Sequence, residues 1–535
     1  MKKLLIFLIF ALFSKLDLYA QHTNLFLGNG YSSNLNQIIY TDKSNYHTSF
    51  KPIIKSDLSF NIDSIQKNNS PTYSNWYLRK IFSEHLVFLE GDDYRVIASP
   101  IINLSKGKEK KEGKNTFTNS RGFIIEGNLG KKFSFFSSFV ENQSVFPNYL
   151  DSYIRKNRVV PGQGYAREFK QKGFDYAMSS GYVSYRGNKV FAIQFGHGKH
   201  FIGDGYRSLL FSDNTFNYPY LRLQTTFWKV QYTNLFAEFQ DINYFLNNNL
   251  DNYDQMGYAK KYMSAHYLSI NVTKKLNISL FESVIWRMNH APGNKGFDVN
   301  YLNPIAMLRP IEFSVNSPDN VLVGINAKYR LPFSSYFYGQ LILDEFTLDQ
   351  IKDDNGYWAN KFGYQLGYKI FNAFRLNNLT LQCEYNLVRP YTYSHNNTYQ
   401  NYAHYNQPLA HPLGANFSEL VLLINYKWKK FVIDGKIIPI KYGGAIKGNS
   451  VSYGNDVYIS YNERPADFGI EMYQGNLTTV NLKFFNISYI LNPRTNLKIN
   501  LGITLRDFKN EDVELQTQFI NFGIMSDLFN HNYNF

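Results

Sequence analysis

The sequence predicts an all-β fold: a transmembrane antiparallel β-barrel of roughly 18 strands, preceded by a small, partly helical segment. Three observations predict it. Apolar and polar residues alternate with period two over strand-length runs. Very short connections take turns with long irregular ones. An export signal opens the chain, yet no later apolar run is long enough for a spanning helix.

Residues 1–20 read as a signal peptide. "MKKLLIFLIFALFSKLDLYAQ" has Lys2 and Lys3, an apolar run from Leu4 to Phe13, and the small Ala20 at the expected cut. Cys383 is the one cysteine, so no intramolecular disulfide holds this exported chain together, and it reads as a small apolar side chain on a strand. Phe and Tyr, 45 and 43 of them, lift the aromatic share to 17% while charged residues reach only 18%, which disfavours a string of soluble domains. The net charge of +14 points to an acidic surface polysaccharide or lipopolysaccharide phosphate as counter-charge, and not to nucleic acid. A basic solvated face would produce the same figure.

Residues 21–93 lack clean alternation. "YLRKIFSEHLVFLEG" spaces Leu78, Ile81, Phe82, Leu86 and Phe88 as a helix would, so this region reads as a periplasmic or plugging segment. The barrel is expected over 94–535. "SKGKEKKEGK" (105–114) reads as a solvated loop.

Alternation is clearest in "LKINLGITLR", where Leu497, Ile499, Leu501, Ile503 and Leu505 interleave with Lys498, Asn500, Gly502, Thr504 and Arg506. "LTLQCEYNL" (379–387) repeats it. Water outside a soluble sandwich would give this pattern, and so would lipid outside a wet lumen. The connections decide between them. "YVSYRGNKVFAIQF", "FIIEGNLGKKFSFFSSF", "INVTKKLNISLFE", "AKYRLPFSSYFYGQL" and "YILNPRTNLKIN" are hairpins with short turns, whereas 287–320 and 389–416 are long and irregular. About 415 residues at about 23 per strand and connection gives roughly 18 strands. The ending, with Tyr533 and Phe535 after "VELQTQFINFGIM", reads as a terminal strand bearing the aromatic signal that barrel-insertion machinery takes as a partner.

If short turns are periplasmic, the segments around 195–223, 300–320 and 389–414 all emerge at the extracellular end and converge there. Their residues resemble a known family. "GDGYRSLLFSDNTFNYPYLRL" (203–223), "FDVNYLNPIAMLRP" (297–310), "LILDEFTLD" (341–349) and "VRPYTYSHNN…YAHYNQPLAHPLGAN" (388–416) are similar, in order, to the capsule-assembly Wzi family. The nearest likeness is to its gliding-motility branch in Bacteroidota, the RemB proteins, whose ending "LFNHNYNF" resembles. "GDGYRS" stands where the capsule proteins carry a Trp-Gly-Pro-Gly-like stretch, a departure that favours the motility branch. The resemblance implies an 18-stranded outer-membrane barrel, a small periplasmic helical part, loops folded into a plug, and a lectin-like role in attaching surface polysaccharide, with gliding-motility proteins as further partners.

Sugars are held by ring faces together with carboxylates, amides and Arg forks. The candidates are Asp204, Tyr206, Arg207, Asp213, Asn214, Tyr218, Arg309, Arg389, Tyr391, Tyr393, His395, His404 and His411. The same residue types also lock plug loops to a polar wall, and for any one of them that role is weighted higher. Histidines at 197, 200, 395, 404 and 411 come without metal-ligand spacing, so no metal or cofactor is expected. No nucleophile stands paired with a base, and the carboxylates Asp344 and Glu345 are explained by ion pairing, so no catalytic residue is assigned. Two other readings remain open: a porin or substrate-specific channel, and an outer-membrane hydrolase.

Overall fold

The computed structural model describes residues 22–41, 45–68, 70–243, 258–287, 298–305, 307–315 and 319–535, so the proposed signal peptide lies outside the described residues. Three helices come first: α1 (Asn29–Thr41), α2 (Ile62–Asn68) and α3 (Trp76–Phe82). Among the described residues eighteen strands then close one antiparallel barrel. They are β1 (Tyr94–Glu109), β2 (Lys114–Leu129), β3 (Phe133–Val145), β4 (Gly173–Arg186), β5 (Phe191–Gly198), β6 (Tyr218–Phe227), β7 (Val230–Asp241), β8 (Ala259–Ile270) and β9 (Leu276–Arg287), with a helix, α4 (Asn148–Asn157), between β3 and β4. The second half comprises β10 (Asn320–Leu331), β11 (Ser335–Glu345), β12 (Lys361–Phe371), β13 (Leu379–Val388), β14 (Phe417–Trp428), β15 (Phe431–Gly444), β16 (Asn476–Asn492), β17 (Leu497–Lys509) and β18 (Glu514–Ser526). Each strand pairs with the next, and β18 closes on β1 from Phe519↔Glu109 to Met525↔Asn103.

Exposure decides between sandwich and membrane barrel. On β17 the apolar phase faces out, with Leu501, Ile503 and Leu505 at 46%, 36% and 40% exposure. The polar phase faces in, with Lys498, Asn500, Thr504 and Arg506 all buried. Water would drive the opposite arrangement, and lipid drives this one. On β13 Cys383 is likewise exposed while Glu384 and Asn386 are fully buried. The aliphatic wall ends at the short turns in a ring of exposed aromatics that includes Phe227, Trp228, Phe333, Phe374, Trp428 and Phe431. Lys229 and Lys429 stand over Trp228 and Trp428, as residues at a headgroup boundary do.

All the predicted hairpins turn at this one end. Of the charge run 105–114 only residues 110–113 form an exposed turn: Ser105–Glu109 continues β1, with Lys106 and Lys108 pointing out and buried Glu109 accepting a hydrogen bond from the Asn148 N–H at 2.9 Å, and Lys114 opens β2. Period-two alternation of charge and small residues satisfies a tall strand as well as a loop, and only the ladder tells them apart.

The lumen is filled from both ends. From the short-turn end, residues 22–41 and 45–68 enter, with Tyr31, Leu35, Ile39 and Tyr40 packing against Ile124, Phe136, Tyr336 and Phe371 of the wall. From the other end, the β5–β6 and β13–β14 connections fold inward, joining Leu209, Leu210, Phe211, Tyr393, Tyr402 and Leu409 to the inner wall. α3 is not part of this plug: Trp76, Tyr77, Leu78 and Ile81 are exposed, and the helix is held outside through Asn492, which donates to the Ile81 and Glu84 carbonyls. The terminal aromatic is not in the terminal strand either. β18 ends at Ser526, and residues 527–535 turn back into the lumen, where Phe535 meets Tyr153 and Tyr533 meets Phe146.

Candidate functional site

The "GDGYRS" motif is a lumenal anchor. Two inward-facing carboxylates of the wall hold it. Glu384 accepts the backbone N–H groups of Tyr206 (2.7 Å) and Arg207 (3.0 Å). Gly205 is required for that approach, because a Cβ there would stand 2.4 Å from Glu384 Oε2. Glu419 accepts from Arg207 Nη2 (2.9 Å) and Nε (3.2 Å) and lies 2.8 Å from His411 Nε2. Arg207 and Glu419 are both buried, and the carboxylate keeps the guanidinium charged although burial opposes it. Asp204 accepts the Tyr40 hydroxyl of α1 (2.9 Å) and the Thr48 hydroxyl, tying the N-terminal segment to this loop. Burial would raise its pKa, but Lys328 and Lys51 hold it below the usual carboxylate range.

The remaining candidates of that segment are equally enclosed. Asp213 accepts from Asn530 (2.7 Å), and Asn214 donates to the Pro408 carbonyl. The Tyr218 hydroxyl accepts the His200 N–H at 3.0 Å. Tyr206 lies under Lys436 and hydrogen-bonds Asn534.

The β13–β14 connection behaves the same way. Arg389 donates to the Asn360 carbonyl (2.9 Å), Tyr391 to the Ser452 carbonyl (2.8 Å), and Tyr393 to the Leu209 carbonyl (2.7 Å). His404 Nδ1 accepts the Gln240 N–H at 2.9 Å. Burial pushes His404 down to about 3 and His395 to about 4. Thus Asp204, Arg207, Tyr218, Tyr393, His404 and His411 come together, but inside the plug. Among the described residues no group of three or more His, Cys, Asp or Glu is arranged to hold a metal ion.

Arg309 breaks the expected convergence. The described part of the β9–β10 connection, residues 298–305 and 307–315, lies on the outside of the barrel. There α5 (Leu308–Val315) packs on β9, and Arg309, half exposed, pairs with Glu312 at 2.8 Å.

The rings at the loop face come from elsewhere. Trp358, in the β11–β12 connection, lies 4.7 Å from Tyr461 of the β15–β16 connection with the ring planes tilted by 40°, and Tyr357 lies 5.4 Å from Phe468. The Arg464 guanidinium sits 4.0 Å from the Trp358 ring centre and pairs with Asp467 at 2.6 Å. Backbone bonds zip the two loops together: Trp358 to Asp467, Gly469 to Asn355, and Ile470 to Gly356. Phe468 is half exposed, Tyr357, Trp358 and Tyr461 are partly so, and Lys361 below bridges Asp344 (3.0 Å) and Glu345 (3.1 Å). Sequence reasoning missed these rings because a loop has no periodicity to single them out. The one available signal was two tryptophan- or tyrosine-bearing Gly/Asn/Asp-rich loops on the extracellular side of the parity count.

Aliphatic outside, polar inside and stoppered by its own loops, the chain is a plugged outer-membrane β-barrel. The family model for capsule assembly protein Wzi matches residues 98–519, and the chain belongs to that family. Among solved structures it is similar to Wzi of Escherichia coli, described as an outer-membrane protein involved in group 1 capsule assembly and a carbohydrate-binding β-barrel. Identity is 12%, coverage is 94% of this chain and 99% of that one, and the TM-score is 0.52. It also matches OprD of Pseudomonas aeruginosa (10% identity, 83% and 96% covered, TM-score 0.43) and OccAB2 of Acinetobacter baumannii (9%, 81% and 98%, 0.43). No curated protein matches.

Proposed function

We propose that this barrel is a non-enzymatic lectin of the cell surface, and that it binds polysaccharide on the face formed by Tyr357, Trp358, Tyr461, Arg464 and Phe468. The observation that carries the reading is the ring cluster itself. Partly exposed aromatic faces stand beside an Arg fork and carboxylates, the combination that holds sugar C–H faces and hydroxyls together. The description of the Escherichia coli relative as carbohydrate-binding supports it. Twelve of the thirteen residues singled out from sequence, all but Arg309, then serve mainly to set the loops that carry these rings, the role their buried partners favour.

Purified protein and its Trp358→Ala and Arg464→Ala variants, tested against acidic and neutral polysaccharides, check this. Binding of the acidic glycan is expected to fall in both variants while the heat-dependent gel shift of the folded barrel stays. Unchanged binding in both overturns the assignment. A deletion strain scored for retained against shed polysaccharide and for surface spreading separates a capsule role from support of gliding, which we also propose on the motif likeness.

A further inference from the structure

A row of polar side chains crosses the lipid-facing wall. Asn234, His266 and Glu282 lie on the outward phase of β7, β8 and β9 and are in direct register, Asn234↔His266 and His266↔Glu282. The same row continues into Leu223 on one side and Val323, 39% exposed, on the other. Glu282 stands six positions along β9 from the short-turn end. At ~2.5 Å of height per tilted residue that is ~15 Å into a ~25 Å apolar band.

These groups are not bare. Glu282 accepts the N–H groups of Leu308 and Arg309, each at 2.9 Å, at the start of α5. Asn234 donates to the Pro304 carbonyl (3.0 Å), and His266 hydrogen-bonds the Asn303 backbone. Tyr301 and Leu308 seal the cover by packing on Trp286, Val284 and Val321 of the outer wall. The other side of the cover presents large apolar side chains that no described residue covers, Val299, Ile305 and Met307 at 70%, 85% and 70% exposure, beside exposed Asn300 and Asn303 and half-exposed Arg309, whose guanidinium is paired with Glu312.

We propose that residues 298–305 together with Met307 and α5 form a flap immersed in the outer leaflet, closing a polar window in the barrel wall and presenting Val299, Ile305 and Met307 to lipid acyl chains. Two observations commit it to lipid: the flap is continuous with the aliphatic belt of Ile278, Leu280, Val323 and Ile325, and a bare carboxylate facing hydrocarbon is strongly disfavoured. The motif "FDVNYLNPIAMLRP" thereby gains a role distinct from glycan contact.

Spin labels test it. In a Cys383→Ser background, Ile305→Cys and Met307→Cys are labelled in liposome-reconstituted protein and compared with Ile325→Cys on the lipid-facing wall and Lys447→Cys in an extracellular loop. Access to dissolved oxygen with loss of access to a water-soluble nickel chelate, as at Ile325, is the expected result. Nickel access equal to that at Lys447 overturns the proposal. Exclusion of both reagents also overturns it, because a second protein copy and not lipid would then cover the flap.

Discussion

Removing one carboxylate from the lumen tests whether the "GDGYRS" segment is a structural anchor. Glu419 accepts two hydrogen bonds from Arg207 and one from Asn386 (3.2 Å), and faces His411 at 2.8 Å. Glu419→Ala leaves the Arg207 guanidinium, among the described residues, with the Asn534 carbonyl as its one hydrogen-bond acceptor, in a place its 5% side-chain exposure denies to water. Orphaning one member of such a pair costs about 3–5 kcal/mol, which is roughly a thousandfold in the folding equilibrium. Replacing both, Arg207→Met with Glu419→Leu, removes the uncompensated charge and should recover most of the loss. The acceptor that His411 loses keeps about 1–3 kcal/mol of it. Guanidinium unfolding of reconstituted protein, followed by fluorescence and by the heat-dependent gel shift, measures all three chains. A single variant within about 1 kcal/mol of wild type, or a double variant as damaged as the single, would refute the anchoring argument.

Three further outcomes are expected. His395 and His404 are held neutral, at about 4 and about 3, so the folded loop releases protons that the unfolded chain binds below its ordinary histidine value near 6.5. Their contribution is full above that value and is lost as pH falls through it, at about 1.4 kcal/mol per pH unit for each histidine. Denaturation midpoints between pH 7.5 and 5 should therefore drop, and His404→Asn should shallow the slope. Ile503→Arg, on the lipid side of β17, should cost ~2–4 kcal/mol of barrel stability by unfolding in liposomes, whereas Thr504→Asn, beside the lumen, should leave insertion unchanged. Asp204→Asn removes the carboxylate linking Tyr40 and Thr48 to the inward loop and leaves buried Lys328 without its counter-ion. Planar-bilayer conductance should rise above wild type, and an unaltered trace would show that this link does not hold the stopper.

What was legible in the sequence follows period two. Strand number, the common end of the short turns and the wet-inside, dry-outside phase all come from alternation and turn chemistry, because each strand meets one solvent on each face. Loop direction was not legible. Whether a connection folds into the lumen depends on single inward acids such as Glu384 and Glu419, which in sequence look like any polar position on a barrel strand. The outward flap did leave a trace. In "SAHYLSI" and "LNISLFESVIW", Ser264, His266 and Glu282 fall on the phase of Leu268, Ile270, Ile278 and Leu280, where lipid should meet only apolar groups. A polar break on the lipid phase signals a covering segment, and here it marks where the wall is covered.

The charge excess calls for the same discrimination. Many of the lumenal cations are engaged in holding the plug rather than facing a ligand. Lys55 meets Glu126, Arg186 meets Asp57, Lys361 meets Asp344 and Lys498 meets Asp527. Others staple the inserted chain by its backbone: Lys51 donates to the Gly203 carbonyl, Lys261 to that of Asn401, and Arg222 to that of Pro52. Carbonyl oxygens satisfy a buried ammonium without the acidic partner a salt bridge needs, so a loop-stoppered barrel can accumulate positive charge from its architecture alone. A net charge of +14 therefore says little about the ligand. Preference for an acidic glycan has to rest on cations at the loop face, Arg464 beside Trp358 first among them.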